Sequence, residues 1–151
     1  MEDKAYSLSF WISILYRHRT SYTVNKLKKY GSLGTSPMVV LIIHQLKIAS
    51  QEQIGNVLKL DKAAITRIVK KLETEGYVSR EMDEVDRRIN RVYLTPKASA
   101  LIPEIENVFK EWNDLVLADI PNESRELLGP LLKQMTDNAR RVELPIDELK
   151  D

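Results

Sequence analysis

Between Asp83 and Arg91 the chain sets three carboxylates (Asp83, Glu84, Asp86) among three guanidinium groups (Arg87, Arg88, Arg91), and Val92, Tyr93 and Leu94 follow directly. Such a segment reads as the tip of a β-hairpin. A mixed-charge tip is usually a solvated turn. Its other use is to carry arginine to an anion while a nearby carboxylate orients the guanidinium through charge-assisted hydrogen bonds. An arginine at a hairpin tip suits the minor groove of DNA, where narrow A·T-rich tracts concentrate negative potential. In this loop Asp86 is the expected brace, and Arg87, Arg88 and Arg91 are the candidate contacts.

A second cationic set lies just upstream. Over residues 62–76 the spacing of Ile65, Ile68, Val69 and Leu72 turns one side of a helix inward. Lys62, Ala63, Thr66, Arg67 and Lys70 are left on the opposite face. These are residue types that read a major groove. Arg and Lys pair with guanine O6/N7 or with phosphate, Thr donates or accepts, and Ala touches a thymine methyl. A lysine-rich face is more often merely solvated. The hairpin one step beyond this helix shifts the balance towards double-stranded DNA as the partner.

The elements that must position these residues can be read from their boundaries. One long helix is predicted over 7–30, stopped by Gly31 and Gly34, and a second, apolar nearly all round, over 36–47 with Ser36 as N-cap and Pro37 at its first position. Ser50 and Gln53 form a capping box for a short helix ending near Leu58. Asp61 caps the next, which ends at Gly76. Two helices joined by a brief turn make a helix-turn-helix. Two strands, 77–81 and 91–95, form a two-stranded wing around the charged loop. Thr95 then caps a helix over 96–118, with Pro103 expected to kink it by losing the bond to the Ser99 carbonyl. A last helix over 123–142 is expected to bend or break at Gly129–Pro130.

The fold class expected is therefore mainly α: a winged helix-turn-helix over residues 35–98, with a two-stranded β wing. Residues 1–34 and 99–151 supply terminal dimerisation helices. Leu8 and Trp11 at one end, and Trp112, Leu131 and Met135 at the other, form apolar stripes expected to pack across a two-fold axis.

Bulk properties agree. The 151 residues carry a net charge of only +1, yet residues 1–103 hold 17 Lys/Arg against 10 Asp/Glu, and residues 104–151 hold 6 against 12. The first two thirds thus suit an anionic partner and the last third does not. Absence of cysteine excludes disulfides, thiolate metal sites and cysteine redox sensing. The acidic N-terminus has no signal-peptide character and the longest apolar run is "MVVLII", so a cytoplasmic protein is expected, with no membrane partner. The five glycines form neither GxGxxG nor GxxxxGK, and no residue pattern selects an acid–base pair. No enzyme, cofactor or metal is expected. The rival that remains is a winged-helix dimer acting as a protein-interaction module without specific DNA binding.

The stretch "LDKAAITRIVKKLETEGYVSREMDEVDRRINRVYLTPKA", residues 60–98, resembles the central region of the MarR family of winged helix-turn-helix transcriptional regulators. The shared features are "TR" at 66–67, "LE..G" at 72–76, the basic Arg80, "D.R" at Asp86 and Arg88, and "LT" at 94–95. "D.R" alone is weak, but the whole set in this order is specific, and the flanking helices extend the likeness over nearly the full chain. The resemblance implies a homodimer that represses transcription from a pseudo-palindromic operator and is released by a small ligand, an aromatic acid or phenolic compound. It makes Arg88 the arginine that enters the minor groove and Asp86 its supporting carboxylate. Half-site centres would lie about 34–36 Å apart. Two positions depart from the pattern: Ala98 replaces the usual glycine after "LT.K", and Val85 replaces a charged wing residue. For the ligand, the resemblance points to the junction of the dimerisation helices with the winged domain, where Tyr16, Arg17, Arg19 and His44 are the candidates.

Overall fold

A computed structural model describes residues 7–87 and 89–142. The chain divides into two compact units, residues 1–112 and 113–151.

In the first unit, helix α1 (Leu8–Leu27) runs into a 3-10 turn (Lys28–Tyr30) and a short helix α2 (Ser32–Thr35). The two glycines here have separate tasks. Gly31 takes φ +58°, which L side chains rarely adopt, and a Cβ on Gly34 would lie 2.1 Å from the Leu27 carbonyl oxygen. Gly34 therefore lets α2 fold back directly onto the end of α1. Helix α3 (Pro37–Leu46) starts with Pro37 and contributes Val39, Val40, Ile42 and Ile43 to the core. Ser36 occupies its N-cap position, but its side chain makes no capping bond.

Strand β1 (Ala49–Ser50) leads into α4 (Gln51–Leu58), where the capping box forms as expected between Ser50 and Gln53. Helix α5 (Lys62–Thr74) is capped by Asp61, whose carboxylate accepts the Ala64 N–H at 2.7 Å. Such caps are each worth about 1 kcal/mol. Strands β2 (Val78–Met82) and β3 (Asn90–Leu94) pair antiparallel with Arg80 opposite Val92. β1 pairs with the other edge of β3, Ala49 opposite Val92, so the sheet has three strands in the order β1-β3-β2. The two-stranded wing forms as expected, and β1 adds a third strand that its two residues, too few to show any alternation, did not announce; Ala49 is fully buried.

The single helix expected over 96–118 is two: α6 (Pro96–Ser99) and α7 (Ile102–Val116). The chain breaks at Ala100–Leu101, and Pro103 sits in the first turn of α7, where its missing N–H leaves no helical acceptor unserved. It opens a helix and kinks none. The core of this unit draws Leu27, Leu33, Ile43, Ile54, Ile65, Val69, Leu72, Val92 and Ile105 from α1 to α7.

The second unit contains the end of α7 and α8 (Asn122–Arg141). Gly129–Pro130 does not break α8, which is continuous through Pro130. The Glu126 carbonyl that loses its helical donor belongs to an exposed turn, where solvent can serve it. No residue of α8 is buried in the single chain. No helix among the described residues is long and apolar enough to cross a membrane.

Candidate nucleic-acid interface

Helix α5 buries Ile65, Val69 and Leu72 and half-buries Ile68. Lys62, Ala63, Thr66, Arg67 and Lys70 are all exposed on the other side. None of the three cations in that set forms an ion pair among the described residues. The Thr66 hydroxyl donates to the Lys62 carbonyl at 2.7 Å and accepts from Gln51 Nε2 at 3.1 Å. Gln51, the first residue of α4, thus reaches the recognition face and fixes Thr66. Sequence reasoning missed it, because its capping-box neighbourhood explains the helix start without assigning the Gln51 side chain anything.

The far end of α5 is tied to the wing. Arg80 Nε donates to Glu73 Oε2 at 2.9 Å, and its Nη2 donates to the same oxygen. This bond holds the Glu73 carboxyl below its ordinary range and raises Arg80. The acid at the end of the helix therefore fixes the angle between α5 and β2.

At the wing tip Asp83 braces the loop. Asp83 is buried, and its Oδ1 accepts the backbone N–H groups of Val85 and Asp86, each at 2.9 Å. Its Oδ2 accepts from Arg91 Nε. The Asp86 N–H, the Arg91 guanidinium and the Val85 N–H, in that order, push the Asp83 carboxyl down. The Asp86 carbonyl accepts from Ile89 N at 2.9 Å and closes the loop. Arg91 is thereby held by Asp83, while Arg87 is exposed. Arg88 lies outside the described residues, and with it the expected Asp86–Arg88 support. The signal for Asp83 was its position, one residue after β2, where a short carboxylate can accept N–H groups two and three residues on.

A separate cavity of about 280 Å³ lies where α1 meets α3, α5 and α7, lined among others by Tyr16, Arg19, Thr23, Pro37, Ile68 and Phe109. The Arg19 guanidinium carbon lies 5.3 Å from the Tyr16 ring centroid and 6.0 Å from that of Phe109. Three hydroxyls at the cavity each donate to a backbone carbonyl: Thr20 to Tyr16, Thr23 to Thr20, and Thr35 to Ser32. They present lone pairs, so Arg19 is the donor a carboxylate would meet and the threonines are acceptors for a phenolic O–H.

Arg17 and His44 do not line this cavity. Tyr16, Arg19, Thr20 and Thr23 follow the i, i+3, i+4, i+7 face of α1, and Arg17 falls off that face. His44 lies six residues beyond Met38, roughly 9 Å further along α3.

Of the expected dimer residues, Leu8, Trp11 and Leu131 are 61%, 51% and 56% exposed in the single chain. Trp112 is half-buried, its ring 5.5 Å from that of Tyr22, and Met135 is half-buried.

Comparison with known proteins bears on this arrangement. The MarR family profile matches residues 35–89. The HTH-type transcriptional regulator BilQ of Clostridium symbiosum is 27% identical over 130 residues, 85% of this chain and 90% of that protein. A MarR transcriptional regulator from Methanosarcina mazei Go1 superposes with a TM-score of 0.86 at 30% identity, covering 90% of this chain and 98% of that one. A crystal structure of MarR superposes with a TM-score of 0.85 at 26% identity, covering 93% and 96%.

Proposed function

Because the chain belongs to the MarR family of transcriptional regulators, we propose that it binds a pseudo-palindromic operator as a homodimer, represses transcription there, and is released by a small aromatic acid or phenolic ligand. The observation that carries this is the outer face of α5, where Lys62, Arg67 and Lys70 stand exposed, with no ion pair among the described residues, beside Ala63 and a hydroxyl fixed from α4. A helix of about 10–12 Å diameter fits a major groove about 12 Å wide. In this assignment residues 35–98 read DNA, with Asp83 and Arg91 stiffening a wing whose Arg87 and Arg88 reach the minor groove. Residues 1–34 and 99–151 dimerise. The apolar side chains that α1 and α8 leave exposed, Leu8, Trp11 and Leu131 among them, are what a second copy would cover.

The ligand fits the cavity under Arg19. Its volume of about 280 Å³ suits a single-ring compound. A carboxylate would meet the guanidinium while the ring lies along Val24, Ile68 and Phe109. This cavity touches both α1 and α5, so its occupancy can alter the angle at which α5 is presented.

Selection of bound fragments from genomic DNA, followed by footprinting, tests the proposal. The expected protection is two half-sites with centres about 34–36 Å apart. Benzoate is the first ligand probe, with release expected in the wild type and lost in Arg19→Ala. Recovery of no preferred fragment, together with capture of another regulator, would instead favour the protein-interaction module.

A further inference from the structure

Three lysines close the first helical segment, and they do not share one environment. Lys26 Nζ lies 3.0 Å from Glu111 and Lys29 Nζ lies 2.9 Å from Glu104, both acids of α7. Lys28 turns the other way and has no carboxylate partner among the described residues. It borders an open groove of about 640 Å³ between α2 and the side of α5, with Arg67, Lys70 and Lys71 along the opposite wall. None of these four cations forms an ion pair among the described residues. The one acid in the groove, Glu75, already accepts the Ser32 N–H at 2.9 Å.

The floor supplies a second, independent observation. Ser32 is only 7% exposed, lines this groove, and its hydroxyl has no hydrogen-bond partner. Buried hydroxyls are nearly always bonded. An unused donor beside four uncompensated cations calls for an acceptor-rich anion. The groove's position says which one. A helix that fills the major groove forces the elements on either side of it against the sugar–phosphate strands, and α2 lies directly beside α5.

We propose that Lys28, Ser32 and Lys71 form a phosphate seat for the DNA backbone, flanking the recognition face and fixing the register of α5 without reading sequence. Lys28 and Lys71 neutralise the phosphodiester, and the Ser32 hydroxyl donates to a non-bridging oxygen. Contacts of this kind position a protein on its duplex and carry no base information. The inference rests on the DNA-binding function proposed above.

The test is a set of salt titrations with operator and scrambled duplexes, comparing the wild type with Lys28→Gln, Lys71→Gln, Ser32→Ala and, as control, Lys29→Gln. The log K against log salt slope should shrink by roughly one per protomer in Lys28→Gln and Lys71→Gln, equally for both duplexes. Ser32→Ala should weaken binding several-fold with the slope unchanged. Lys29→Gln, its sequence neighbour, should keep the wild-type slope. Wild-type slopes in Lys28→Gln and Lys71→Gln, with operator binding intact, would overturn the seat alone. A wild type that binds no duplex would overturn the DNA-binding function and the seat with it. Phosphate replacing chloride at matched ionic strength separates the sources. Specific displacement by the free ion, abolished in Lys28→Gln, would reassign the groove to a small phosphate.

Discussion

The outer face of α5 and the junction of α1 with α7 are both rich in lysine and arginine, yet their electrostatics are opposite. At the junction the two lysines that face α7 each have an acid: Lys26 meets Glu111 and Lys29 meets Glu104, and the lysines hold both carboxyls below their ordinary range. On α5, Lys62, Arg67 and Lys70 have no acid partner among the described residues. Residue type alone does not mark a binding face. What marks it is positive charge that the fold leaves uncompensated, because only that charge is available to release counterions from DNA. Pairs at the junction serve packing and orientation, and solvent screens exposed pairs of this kind so that they add little to stability.

Variants should divide along the same line. The largest effect is expected from Arg67→Glu, which places a like charge against the duplex; operator affinity should fall by more than roughly a hundredfold, and a gel-shift series would measure it. Arg88→Ala should weaken binding by about 1–3 kcal/mol. A variant that held its operator unchanged would remove the wing from the mechanism.

Asp83→Asn should cost less affinity than Arg88→Ala, since it loosens the wing without removing the contacting arginine. It also has a pH signature. The folded-state pKa of Asp83 is depressed, so its stabilisation is fully present above the unfolded value of about 3.9 and is lost as pH falls through the lower folded value. Thermal melts of wild type and Asp83→Asn should differ at neutral pH and converge below about pH 3.9. The smallest effect belongs to the junction: Lys26→Gln should change operator affinity by less than about twofold. A tenfold loss there would break the distinction between paired and unpaired cations.

Much of this face was readable because α5 repeats its apolar residues at helical period and announces its ends with Asp61 and Gly76. Ile65, Val69 and Leu72 had to point inward, so Lys62, Arg67 and Lys70 had to point out. What stayed hidden depended on contacts between segments. A two-residue strand has no period, so β1 and the third strand of the sheet could not be seen. Asp83 and Asp86 are equivalent as letters, and only the turn geometry gives Asp83 the two N–H groups and Arg91. That Arg19, and not Arg17 or His44, lines the cavity beneath α1 follows from the direction in which each helix presents its side chains, which the packing around it sets. Proline has a local effect that depends on where the helix begins: Pro103 starts α7, whereas Pro130 is tolerated in the exposed α8.

Sequence-specific DNA binding by a dimer is the centre of the account. The direct measurement is a fluorescence-anisotropy titration of the protein against duplexes from the flanks of its own gene, in excess heterologous DNA and at several salt concentrations. The account predicts saturation at one dimer per site, an affinity that survives the competitor, and a steep loss with salt. Equal affinity for every duplex, abolished by any competitor across all flanking fragments, would contradict it.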